Sequence, residues 1–109
     1  VNKKQEAVKT DVLTSDLDEL WSQYMQYLRQ ASEADQPIWV KYNPEPDRST
    51  YHVIASITSD GKEAEYHLYR AETFINNLFR SKGIYINTLV FQEDEHFTQH
   101  NPSWRRLYP

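Results

Sequence analysis

The chain reads as one α+β domain with the element order α-β-β-β-α-β. Three observations predict this. Two stretches place apolar residues at the 3-4 spacing of a helix face, several short runs alternate at strand period, and Asp60-Gly61 lies between two such runs. Asp-Gly suits a tight hairpin because a type I′ turn needs positive φ at both central residues. The expected architecture is a three-stranded antiparallel meander plus a fourth strand, with both helices packed on one face of the sheet.

Residues 1–13 are charged, with Ala7, Val8, Val12 and Leu13 as their apolar members, and read either as a flexible N-terminal segment or as an extension of the following helix. Ser15 stands where an N-cap belongs, and Asp16, Asp18 and Glu19 occupy the first turn, where the helix dipole favours acids. Leu17, Leu20, Trp21, Tyr24, Leu28 and Ala31 then fall on one helical face, which predicts a helix over 16–32. Pro37 closes that segment. Ile38 to Tyr42 is a β-branched and aromatic strand, ended by the proline-containing loop NPEPDRS.

The expected hairpin spans 50–70, with the turn at Asp60-Gly61. Its register sets Ile57 opposite Ala64, Ala55 opposite Tyr66 and Val53 opposite Leu68, so that both apolar rows share one face. The other face then carries His52, Ile54, Ser56 and Thr58 against Glu63, Glu65, His67 and Tyr69. A second helix is expected over 70–82, with Ala71, Phe74, Ile75, Leu78 and Phe79 on its face and Gly83 as a left-handed cap. Residues 84–91 read as a strand with large apolar side chains on both faces, which suggests a more interior position than the hairpin strands have. If it joins the same sheet it runs parallel to the first and third strands and pairs beside one or the other of them. Residues 92–109 form a tail, acidic at first and ending in NPSWRRLYP.

Composition narrows function more than it defines it. The chain has 109 residues, 12 Lys and Arg against 16 Asp and Glu, three Trp and eight Tyr. That is one domain with a real core, and too aromatic for a disordered chain. No basic stripe exists, whereas binders that rely on phosphate contacts use roughly 6–10 cations, which argues against nucleic acid. Cysteine is absent, so disulfides and thiolate metal sites are excluded. No apolar run approaches the ~20 residues of a membrane span. VNKKQEAVKT lacks the apolar segment of a secretory leader, so a cytoplasmic protein is expected.

Both glycines have structural work, one in the turn and one at a helix end. A P-loop, a dinucleotide fingerprint and a G-x-S-x-G elbow are therefore missing, which argues against common nucleotide-dependent and serine-hydrolase chemistry. His96 and His100, beside Glu93, Asp94 and Glu95, lack a fixed third ligand and read as a solvated turn. No metal, cofactor or catalytic residue is assigned. The element order resembles that of double-stranded-RNA-binding domains, but Arg70-Ala71-Glu72-Thr73 stands where those domains carry lysines, and no membership is inferred.

Two sets of binding residues follow. Trp39, His52, Ile54, His67 and Tyr69 would form an aromatic-bearing face on the sheet side away from the helices. Trp104, Arg105, Arg106 and Tyr108 form the tail set, whose residue types dominate buried interfaces; the same tail would otherwise fold back on the domain's own sheet. The expectation is a small non-catalytic module that binds a protein partner or itself as a homodimer, of inhibitor, immunity, antitoxin or chaperone type. The alternative is a small-ligand-binding protein or minor enzyme that uses His52, His67 and Tyr69 in a pocket.

Overall fold

The computed structural model describes residues 14–58, 60–92 and 103–108. Helix α1 spans Thr14–Arg29, strand β1 Trp39–Tyr42, strand β2 Thr50–Ile57, helix α2 Lys62–Leu78, strand β3 Tyr85–Gln92 and strand β4 Arg105–Tyr108. Short 3-10 turns occupy Glu33–Asp35 and Arg80–Lys82. The class is α+β, and the order is α-β-β-α-β-β. One four-stranded mixed sheet runs β3-β2-β1-β4, with β1 antiparallel to both β2 and β4 and β3 parallel to β2.

The expected hairpin at Asp60-Gly61 does not form, and the meander fails with it. Gly61 has φ −85°, so its backbone is not that of a type I′ turn. Its amide donates to Thr58 O, the Thr58 hydroxyl donates to the Asp60 carboxylate, and Gly61 O accepts the first helical bond from Glu65. A Cβ at this position would lie 3.1–3.2 Å from Thr58 O, Thr58 Oγ1 and Ile57 Cβ, and this crowding favours glycine. Beyond it, Lys62–Leu78 is helix because its buried residues are Ala64, His67, Leu68, Ala71 and Ile75, at 3-4 spacing. Ala64, Tyr66 and Leu68 also alternate, but the helical reading runs on unbroken into Ala71 and Ile75. Glu63 and Glu65 in the first turn add a favourable dipole interaction. Gly83 is left-handed, φ 69°, and closes the 3-10 turn that extends the helix.

Tyr51, Val53, Ala55 and Ile57 of β2 point to the core, where they meet Val40, Ile84 and Ile86 under Leu20, Tyr24, Met25 and Leu28 of α1 and Ala64, Leu68, Ala71 and Ile75 of α2. Both helices thus cover one face of the sheet. Trp21 closes the flank of the core, with its ring 4.4 Å from that of Tyr42 and edge-on to Tyr24 and Tyr51. Each large aliphatic residue buried there contributes roughly 1.5–3 kcal/mol.

β3 joins at one edge of the sheet, beside β2, a less interior place than its two apolar faces suggest. Ile86 and Thr88 turn backbone groups toward α2. Asn76 on that helix donates to Ile86 O at 3.1 Å and accepts from Ile86 N–H at 2.8 Å, while the Glu72 carboxylate accepts from Thr88 N–H. The tail's last residues form the other edge: β4 pairs with β1, and Leu107 and Tyr108 pack against the core. Residues 1–13, and the tail segment with His96 and His100, lie outside the described residues.

Candidate functional site: the outer face of the sheet

Side chains alternate across a strand, so the register assigns each residue to a face. Trp39 stands opposite Ser56, Lys41 opposite Ile54, His52 opposite Asn87, Ile54 opposite Leu89 and Ser56 opposite Phe91. These residues lie on the face away from the helices, and Tyr85 joins them opposite Thr50. Arg106 enters from β4, directly opposite Lys41. Ile54 and Ser56 are buried at the centre of this face, whereas Leu89 is 51% exposed and Tyr85 38%. The Lys41 ammonium sits 5.3 Å from the centre of the Trp39 ring, a cation–π geometry.

Of the sequence-predicted sheet-face set, Trp39, His52 and Ile54 come together here. His67 and Tyr69 do not, because they belong to α2. His67 is buried between the helices, and its Nε2 lies 3.1 Å from Tyr27 O and 3.0 Å from Leu28 O. Carbonyls only accept, so Nε2 carries the proton and donates to the end of α1. Gln36 Nε2 donates to the same Leu28 carbonyl at 2.8 Å and to Ala31 O at 2.9 Å. The His67 ring stacks on Tyr27, which stacks on Phe74. His67 is therefore a helix clamp.

Tyr69 is 40% exposed and lines a shallow groove with Tyr27, Tyr66, Arg70, Thr73 and Phe74. Burial raises its phenol pKa, helped by a hydrogen bond to Glu65 and by the Glu65 and Glu72 charges. His52 lies on the opposite side of the sheet from that groove, so the trio His52, His67 and Tyr69 shares no pocket.

The tail set divides as well. Arg106 faces outward beside Lys41, Arg105 is exposed opposite Tyr42, Tyr108 is half-buried opposite Val40, and Trp104 is half-buried just before β4. Lys41, Tyr85 and Leu89 were not singled out in the sequence. Their signal was parity: Lys41 is two residues from Trp39, and Tyr85 and Leu89 share one row of an alternating strand.

The four strands contain Lys41, Arg105, Arg106 and His52 but no Asp or Glu. The acids of the described residues sit on helices, turns and loops, among them Asp16, Glu19, Glu33, Glu63, Glu65 and Glu72. Among the described residues the single salt bridge is Lys82–Asp16 at 2.7 Å, on the helical side. No group of three metal-ligating side chains occurs among them, and no helix there is long and apolar enough to cross a membrane. No family model, curated protein or solved structure matches this chain.

Proposed function

We propose that this chain is a small non-catalytic protein-binding module, of the inhibitor, immunity, antitoxin or chaperone type, whose docking surface is the outer face of the sheet. The observation that carries this reading is the exposure of Leu89 and Tyr85 on β3, with half-buried Trp39 two strands away on β1, on a face to which neither helix contributes. Interfaces gain most from buried anchors such as Trp, Tyr and Arg, and this face offers Trp39, Tyr85 and Arg106. The tail takes part through β4, which brings Arg106 to that face. The separation of His52 from His67 and Tyr69 counts against an acid–base site.

The reading is tested by recovering tagged protein from its native host, as wild type and as Leu89→Asp. A stoichiometric protein partner should accompany the wild type and be lost from the variant, while the melting temperature stays the same. A partner retained by Leu89→Asp, or no partner with either, would overturn it.

A further inference from the structure

Lys41 and Arg106 are direct cross-strand neighbours on the outer face. Like charges set opposite one another destabilise a sheet, and no carboxylate of the described residues offsets this pair. Lys41 is half-buried and lies against Trp39, so its charge is held beside an apolar surface. We infer that the Lys41–Arg106 pair receives a carboxylate from an acidic segment of a protein partner, with Trp39 beside it as the apolar contact. This inference rests on the outer face being the docking surface.

Charge selects that occupant over two others. An isologous pairing of two copies through this face would set it against a copy of itself, and since the strands carry no Asp or Glu, they would bring no carboxylate to Lys41 and Arg106. A nucleic-acid strand needs a cationic track of roughly 6–10 contacts, and the strands offer Lys41, Arg105 and Arg106, the first already engaged by a ring. One or two carboxylates on a protein segment match the two cations on this face. Arginine holds a carboxylate through two parallel N–H donors, and lysine adds a point charge.

The same geometry makes an unusual prediction for Lys41→Glu. The substitution turns a repulsive pair into an attractive one, so the melting temperature should rise by about 1–5 °C while binding is lost. The experiment follows the isotope-labelled full chain by NMR. It is titrated with a twelve-residue peptide rich in Glu and Leu, with the same peptide carrying Gln for every Glu, and with a twelve-nucleotide oligothymidine.

The Glu peptide should shift the amides of Lys41 and Arg106 and the Trp39 indole. The shifts should weaken several-fold between 50 and 200 mM salt and vanish in Lys41→Glu. If the Gln peptide shifts these resonances equally, the carboxylate inference fails while the docking face stands. If neither peptide moves them, the acidic-segment inference fails, while the docking face is decided by the Leu89→Asp recovery. Stronger binding of the oligonucleotide overturns the choice of partner, as does concentration-dependent shifting of these resonances without peptide, which would mean a second copy. A Lys41→Glu protein that melts lower than wild type removes the argument from repulsion.

Discussion

The two faces of strand β2 come from one eight-residue run, yet they have opposite chemistry. Tyr51, Val53, Ala55 and Ile57 lie in a core shared by both helices, where mass and shape decide everything. His52, Ile54 and Ser56 lie among Trp39, Lys41, Leu89 and Arg106, where cations without a carboxylate partner among the described residues stand beside apolar side chains. The first face explains why the chain folds. The second contains what folding does not require: a like-charge pair and a half-exposed leucine. Stability and binding should therefore separate cleanly by side-chain parity along the strands.

The largest effect should come from the core side. Leu68 is fully buried on α2, and Leu68→Ala should cost about 2–5 kcal/mol in denaturant unfolding. A cost below about 1 kcal/mol would mean that the helix does not sit on the sheet as described.

The two histidines sharpen the contrast next. His67→Phe keeps an aromatic ring near Tyr27 but removes the donor to two helix-end carbonyls, and it should cost about 1–3 kcal/mol. His52→Phe on the outer face should stay within about 0.5 kcal/mol. Equal losses in calorimetry would erase the distinction between the faces.

The smallest effect is a pH dependence. The Tyr24 phenol is fully buried, and its hydroxyl has no hydrogen-bond partner among the described residues. Burial, and then the Glu72 charge, raises its pKa. The fold therefore keeps a proton that the unfolded chain releases above about pH 10, and stability must fall as pH rises through that range. Burial also raises Tyr51 and Tyr69, so they act in the same direction. Tyr24→Phe should flatten this alkaline decline by roughly 1 kcal/mol near pH 11 and change little at pH 7. An unchanged alkaline limb in the variant would place the loss elsewhere.

Much of the scaffold was legible because it is local. The apolar stripe of Leu17 to Leu28, the strands at Trp39–Tyr42 and Thr50–Ile57, the parity of Tyr85 to Phe91 and the left-handed cap at Gly83 each follow from spacing within a few residues. Residues 62–69 carry two patterns at once, because Ala64, Tyr66 and Leu68 satisfy period two while Ala64, Leu68, Ala71 and Ile75 satisfy period 3.6. Helix-favouring Lys62, Glu63, Ala64 and Glu65 tip the balance toward the helix. The choice of period decides whether His67 lies on a sheet face or, as the structure has it, between the helices. The pairing of β4 with β1 and of Lys41 with Arg106 joins residues more than sixty positions apart, and no local pattern encodes it.

The contacts from Asn76 and Glu72 to β3 have a consequence for how this molecule behaves in a crowd. An eight-residue border strand with open peptide groups is a template on which other chains can lay themselves down. Here the Asn76 amide pairs with both peptide groups of Ile86 in the way a neighbouring strand's backbone would, and Glu72 takes up the next donor along. The helix carries a short imitation of the missing fifth strand. Growth of the sheet past that border is discouraged from within the chain.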